Sequence, residues 1–312
     1  MQPNQTKNYL ELKINRDFGE IISIYFDFLK QNIKKFTNIF LSYNGIFLIG
    51  LLIVSYLLVS GFIGLITYQN SPIGDRPDDD YIYYFIGGGI LFFIIFIIVS
   101  ILNYSLAASY LIKYEEVKGS NFDKKEVWNL CKQNLGKIFL FILLLFLIYF
   151  GFGIVSIIFA IIPILGSIAQ YILQFSINAW SGVSFIYLIH KKATVTDALG
   201  EGWNLVTKNY WKSVGVNFIL GLLNGILFIV VLIIPSVLVG IYSYHVVENS
   251  VDVTTSIIPT IIYTLGTCIV LILMVFMQSL SQFVNGILYY SLYEKEYNIN
   301  TRSKIEEIGK KD

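Results

Sequence analysis

Hydrophobic positions run almost unbroken through six stretches of this 312-residue chain, roughly Phe36–Tyr68, Tyr81–Ile112, Ile138–Ile162, Ile164–Ile189, Val214–Tyr242 and Ser256–Tyr293. Each is longer than the roughly 18–20 apolar residues that carry a helix across about 30 Å of hydrocarbon. None shows the period-two alternation of a barrel strand, and in lipid only helices and closed barrels satisfy their own backbone. The pattern predicts an all-α integral membrane protein with six transmembrane helices. The third and fourth stretches are parted only by Ile161-Ile-Pro-Ile-Leu-Gly166, where Pro163 and Gly166 are expected to end one helix and turn the chain.

Ahead of the first stretch the pattern changes to a helical period. Phe18, Ile21, Ile22, Tyr25, Leu29, Ile33 and Phe36 recur at three- and four-residue steps, with Glu20, Asp27, Lys30 and Lys34 between them. That spacing predicts an amphipathic helix at the membrane surface. The same short text returns twice. Phe26-Asp-Phe-Leu-Lys-Gln-Asn32 with Lys35, Trp128-Asn-Leu-Cys-Lys-Gln-Asn134 with Lys137, and Trp203-Asn-Leu-Val-Thr-Lys-Asn209 with Lys212 share one pattern. Each opens on an aromatic, closes on Asn with a Lys three residues later, and precedes a pair of apolar stretches. The chain therefore reads as three parallel repeats of an amphipathic interfacial helix plus a transmembrane hairpin, over 17–114, 121–192 and 195–296, with 297–312 as a cytoplasmic tail. Such repeats are related by an axis near the membrane normal. Thr196 or Asp197 is the expected cap of the third surface helix.

Charge supplies the orientation. The chain is 55% hydrophobic and only 14% charged, with a mean hydropathy of +0.67, whereas a soluble domain is about 25% charged. The net charge of +1 says little, but 21 of the 22 basic residues fall in the two ends and the segments near 113–137 and 190–212. Only Arg76 lies on the other side of the predicted spans. Basic residues stay with cytoplasmic loops, so both termini are expected in the cytoplasm. Met1–Lys35, which carries Asp17 and Glu20, does not read as a cleavable signal peptide. The richness in Ile, Lys, Asn, Phe and Tyr points to a low-GC bacterial genome and hence a multi-pass inner-membrane protein. No basic tract interleaved with aromatics suggests nucleic acid as a partner.

The central parts of the spans contain no Asp, Glu, Lys or Arg. Ion-coupled transporters use such groups, and intramembrane hydrolases need a nucleophile with a base or a set of metal ligands. His190 at a helix end and His245 in an external loop have no second ligand at metal-binding spacing. Cys131, in a surface helix, and Cys268, in a span, are not expected to form a disulfide. The reading is a non-catalytic protein with no cofactor and no metal.

Uncharged polar residues are present and ordered. Gln170, Gln174 and Asn178 step by four in the fourth span, Gln278, Gln282 and Asn285 step by four and then three in the sixth, and Asn103 lies in the second beside Ser100 and Ser105. They predict either interhelical hydrogen bonding or a polar cavity between repeats. Lys35, Trp128, Lys137, Trp203 and Lys212 form the candidate cytoplasmic interface, with Trp211 at the same level. Gly221-x-x-x-Gly225 and the nearby Gly61 and Gly64 suggest close helix packing. Gly87-Gly-Gly89 would loosen the second span, and Pro235 would kink the fifth. Asp78-Asp-Asp80 reads as a solvated external turn. Membrane lipids and a membrane or cytoplasmic protein are the expected partners, with the chain acting as a scaffold or lipid-engaging module. The alternative is a channel or transporter for a lipid-like or uncharged solute.

Ile287-Leu-Tyr-Tyr-Ser-Leu-Tyr-Glu-Lys-Glu296 resembles the end of the membrane domain attached to bacterial glycerophosphoryl diester phosphodiesterases. In that family the last span finishes on a Leu-Tyr-Tyr-Asp-Leu-Arg type of sequence. Here Ser291 replaces the Asp and Tyr293 the Arg. Phe18-Gly-Glu20 and Trp203–Asn209 are also similar to segments of that family, and the likeness runs loosely from Asp17 to Glu296. It is to the stand-alone, uncharacterised members without the catalytic domain. In the family, hydrolysis belongs to a separate soluble domain with metal-binding carboxylates and histidines. The resemblance therefore implies no phosphodiesterase activity for this chain.

Overall fold

The structure, a computed structural model, describes residues 9–69, 79–162, 164–248 and 257–308. Among the described residues every element is a helix: α1 (Phe18–Gln69), α2 (Asp79–Val117), α3 (Lys124–Gln133), α4 (Leu135–Ala160), α5 (Leu165–His190), α6 (Val195–Lys208), α7 (Tyr210–Glu248), α8 (Ile257–Tyr297) and α9 (Ile299–Ile308). Six of them, α1, α2, α4, α5, α7 and α8, are long and apolar enough to cross a membrane. Gly74–Asp78, with Arg76, and Pro163 lie outside the described residues, while Asp79 and Asp80 already belong to α2.

Asparagine marks the start of two hairpins. At Asn134 the backbone leaves the helix (φ −108°, ψ 4°) and its N–H bonds to the Cys131 carbonyl, three residues back. Its side-chain amide then takes the Leu130 carbonyl at 2.8 Å, supplying the four-residue bond that the backbone has given up. Asn209 does the same between α6 and α7, with its N–H on Val206 and its amide on Leu205 at 3.1 Å. Asn32 also donates to the carbonyl four residues back, on Phe28 at 3.0 Å, but its backbone stays helical. The first surface helix and the first span are thus one uninterrupted helix, where the sequence suggested two.

Helix starts follow a common rule. The Asp17 N–H bonds Glu20 and the Glu20 N–H bonds Asp17, both at 2.8 Å, which makes a reciprocal capping box at α1. Asp123 N–H bonds Glu126 at 2.9 Å at the start of α3. At α6 the cap is Thr194, whose hydroxyl accepts from the Asp197 N–H. Thr196 and Asp197, expected to cap it, sit inside the first turn, because Val195 already has helical backbone. Lys118, Lys192 and Asn298, just past the ends of α2, α5 and α8, all take left-handed φ near +50°, a C-terminal stop that glycine usually provides. The α4–α5 turn is tight: a Cβ on Gly166 would lie 1.8 Å from the Phe159 carbonyl oxygen, so only glycine fits.

Two compact units divide the chain. The first comprises Met1–Ile39, Tyr104–Leu222 and Ser279–Asp312. Its core is aromatic, with Phe36 on Phe283 (4.7 Å between ring centres), Phe36 on Tyr110 (5.6 Å) and Phe122 on Tyr110 (5.0 Å), all edge-to-face. The buried face of α1 in this unit is Ile21, Tyr25, Phe28, Asn32 and Phe36. Phe18, expected on that face, is 40% exposed. The second unit comprises Phe40–Asn103 and Leu223–Gln278. Here Gly61 meets the Phe85 backbone and Gly64 the Tyr81 ring so closely that a Cβ would clash. A Cβ on Gly225 would meet nothing within 4 Å, so the Gly221–Gly225 pair is not a packing seam; Gly221, in the first unit, lies against Phe175 of the same unit. α7 runs unbroken through Pro235 and through His245, which sequence placed in a loop.

The outer faces of the long helices are apolar. On α4, Phe139, Phe146, Phe150 and Ile157 are each about two-thirds exposed. A surface of that kind is a liability in water and suits hydrocarbon.

Candidate functional site

The three lysines singled out by sequence all turn back into the first unit. Lys35 Nζ donates to the carbonyls of Ser120 and Phe122, immediately ahead of α3. Lys137 Nζ donates to the carbonyls of Lys192 (2.6 Å) and Ala193 (2.9 Å), immediately ahead of α6. Lys212 Nζ donates to the carbonyl of Arg16, immediately ahead of α1, and to Ser291 Oγ at 3.2 Å. Each lysine ties the root of one hairpin to the chain entering another surface helix, and the third closes the circuit on the first. The aromatics of the same motifs face outward: Phe26 is 48% and Trp203 56% exposed, and Trp211 is 73% exposed. Trp128 is half-buried, with Lys132 over its ring.

The polar stripes are spent in helix contacts. Asn103 Oδ1 accepts from Asn44 Nδ2 at 2.8 Å, Asn178 Oδ1 from Tyr149 Oη at 2.9 Å, and Asn285 Oδ1 from Asn217 Nδ2 at 3.0 Å. In every case an asparagine on the second helix of a hairpin is held by a donor on the first. Gln174 Nε2 bonds Asn178 at 3.1 Å, and Gln278 Nε2 bonds Ser100 at 2.9 Å. Gln282 is fully buried, with Nε2 3.4 Å from the Gly182 carbonyl and Oε1 without a partner. Gln170 is half-buried on α5. None of these seven residues lines the three cavities described below.

A second polar cluster escaped the sequence reading. Glu115, at the end of α2, is buried, accepts from Tyr9 Oη at 2.6 Å and pairs with Lys13 and Lys118. Burial and the Glu115 carboxylate push the Tyr9 phenol far up, so it stays a donor at any physiological pH. Glu294, also buried, accepts the backbone N–H groups of Asn300 and Thr301 at 2.9 Å and so caps α9. Within the expected tail, Ile299–Ile308 form a docked helix. Asn300 and Lys304 of α9 bond Glu11 at 2.7 and 2.6 Å. Nothing in the hydropathy pattern signals the Glu11 contacts with α9, which join residues nearly 300 positions apart.

Burial alone would raise the Glu11 carboxyl, but the bonds from Lys304 and Asn300 and the Lys304 charge bring it below the usual range. A depressed carboxylate stabilises the fold above its unfolded pKa of about 4.3 and loses that contribution as pH falls through the lower folded value. Docking of α9 is thus expected to hold at neutral pH and to loosen below about pH 4. Hydrogen exchange over residues 299–308, corrected for intrinsic rates, should show this, and Glu11→Gln should weaken the pH dependence.

Cys131 and Cys268 are both free thiols. Burial pushes the Cys131 thiol up to about 11, and its Sγ lies 3.2 Å from Ser109 Oγ. At pH 8 maleimide is expected to leave Cys131 unmodified in the folded protein and to label it fully after denaturation, read as a mass shift.

Among the described residues, cavities open within each unit. In the second unit, one of about 620 Å³ is walled by Leu58, Phe62, Ile66, Phe85, Tyr263 and Thr267. Another of about 280 Å³ lies between α7 and α8 at Pro235 and Gly266. In the first unit, a groove of about 420 Å³ runs between α4, α5 and α6. His190, at the end of α5, has Nδ1 2.7 Å from Tyr289 Oη. Among the described residues no group of three His, Cys, Asp or Glu side chains is placed to hold a metal ion.

No family model, no curated protein and no solved structure matches. The functional reading rests on the geometry above.

Proposed function

We propose that this chain is a non-catalytic, multi-pass protein of the bacterial inner membrane that serves as a scaffold for a protein partner and engages lipid. Both termini lie in the cytoplasm, and the chain is built from three parallel repeats. The observation that carries the reading is the circuit of Lys35, Lys137 and Lys212, which locks α1, α3 and α6 to one another. The three asparagine clasps at Asn103, Asn178 and Asn285 support the same threefold plan. The capping rule at Asp17, Asp123 and Thr194 supports it too. A base braced in this way leaves the polar faces of three helices, with the exposed Phe26, for a partner or the membrane surface. Its lysines are structural and are poor probes of that surface. The positive-inside distribution supports the orientation. The resemblance to the stand-alone phosphodiesterase membrane domains fits the same role.

Mass spectrometry of the protein extracted in its native membrane patch tests the scaffold. A stoichiometric protein partner, lost in Trp128→Ala and Trp203→Ala, is expected. Extraction of the chain with lipid alone would overturn partner binding. Metal-dependent phosphodiester turnover by the purified protein would overturn the non-catalytic reading. The transporter alternative draws less from the polar stripes, since Asn103, Asn178 and Asn285 bond to the preceding helix.

A further inference from the structure

The groove in the first unit has the chemistry of a lipid-chain site. Ile148, Phe152 and Val155 of α4 form one wall and Leu173 and Ile177 of α5 the other, and Trp180 and Trp203 close one end. The two indoles meet edge-to-face, with ring centres 5.4 Å apart. No residue lining the groove carries a formal charge. Its polar groups are already engaged. Trp180 Nε1 donates to the Leu199 carbonyl at 2.8 Å and the Thr207 hydroxyl to the Trp203 carbonyl at 2.8 Å. Ser176 Oγ lies 2.7 Å from the Ile172 carbonyl and 2.9 Å from Tyr210 Oη.

A space of about 420 Å³ falls in the range of small-molecule sites, and close-packed proteins do not keep such a volume empty. Water needs two to four polar partners in a buried site, and the bonded hydroxyls leave few. The occupant is therefore apolar. Its source follows from continuity: Phe150 and Ile154 are exposed on α4 between the groove residues Ile148, Phe152 and Val155, so the groove adjoins the face that suits hydrocarbon. We propose that this groove holds one acyl chain of a membrane phospholipid, seated against the Trp180–Trp203 pair. The proposal rests on α4 and α5 being spans, and it gives the lipid-engaging part of the reading above a ligand class and a place.

The chain has four tryptophans, and replacing Trp128 and Trp211 by Phe leaves the groove pair as the fluorophores. Phospholipid brominated on its acyl chains is then titrated into the detergent-purified protein. Saturable quenching at low lipid-to-protein ratio is expected. Val155→Phe should fill the groove and abolish the saturable phase, while Ile157→Phe, on the exposed face of α4, should keep it. Native mass spectrometry of the otherwise unchanged chain gives a second readout: one retained phospholipid, lost in Val155→Phe. Three outcomes would overturn the proposal: quenching that rises linearly with brominated lipid, quenching indifferent to Val155→Phe, or quenching by brominated free fatty acid but not by the phospholipid. Labelling of Ile157→Cys in intact membranes by an impermeant thiol reagent separates the two failures. A labelled Ile157→Cys overturns the span reading itself, and an unlabelled one without saturable quenching overturns the groove alone.

Discussion

Lys212→Met is expected to destabilise the protein by about 1.5–3 kcal/mol, the usual worth of hydrogen bonds to a charged donor. Methionine keeps the length of the side chain and much of its apolar packing but donates nothing. The Arg16 carbonyl and Ser291 Oγ, which Lys212 draws together from opposite ends of the chain, then lose their common donor. Arg16 is itself buried, its guanidinium turned back onto the carbonyls of Leu12 and Glu11. Loosening this segment should expose Arg16 to trypsin. Lys35→Met and Lys137→Met should cost similar amounts, since each lysine serves two carbonyls. Lys34→Met is the control: its side chain is exposed, and surface changes stay within about 0.5 kcal/mol. Unfolding in mixed micelles with rising fractions of SDS measures all four. A Lys212→Met midpoint equal to that of Lys34→Met would show that the circuit contributes nothing to the fold.

Much of the architecture was legible before the structure, because length and apolarity alone specify a spanning helix. The motif ending in Asn and Lys was legible too, as three copies of a short text. Its meaning was not. The spacing allowed two readings, helices that brace each hairpin or a face for a partner or anionic lipid, since a sequence shows spacing but not which carbonyls lie within reach of a lysine. The polar residues were legible as a spacing along each span. Their hydrogen bonding to Asn44, Tyr149 and Asn217 on the preceding helix needs the helix rotations, which an almost wholly apolar span does not reveal through its pattern. The continuous α1 was missed because Asn32 reads like Asn134 and Asn209, and its side chain does make the same bond. What differs is the backbone beneath it. The acceptor pair Glu115 and Glu294 and the docking of α9 were illegible for a simpler reason. Charged residues near a terminus are usually solvated, and only the fold brings residues 9–16 onto the ends of α2 and α8.

Gly202→Ala and Gly200→Ala are expected to move stability in opposite directions, although they lie two residues apart on α6. Helix propensity favours alanine over glycine at either site by about 0.5–1 kcal/mol. At Gly200 a Cβ would meet nothing within 4 Å, so that gain should appear undiminished. At Gly202 the Cβ would fall 1.9 Å from Ser184 Oγ and 2.9 Å from Ser184 Cα. The hydroxyl can rotate, but the backbone atom cannot, so α6 must lift from α5. Overpacking of this kind costs roughly 1–3 kcal/mol and outweighs the propensity term. Because α6 carries Trp203, Val206 and Thr207 into the groove beside α5, the same displacement should separate the Trp180–Trp203 pair and shift tryptophan emission. The gap between the two alanine variants, read in one SDS titration, isolates the packing of α6 on α5 from its helix propensity. Equal and positive shifts would mean that α6 does not seat against Ser184.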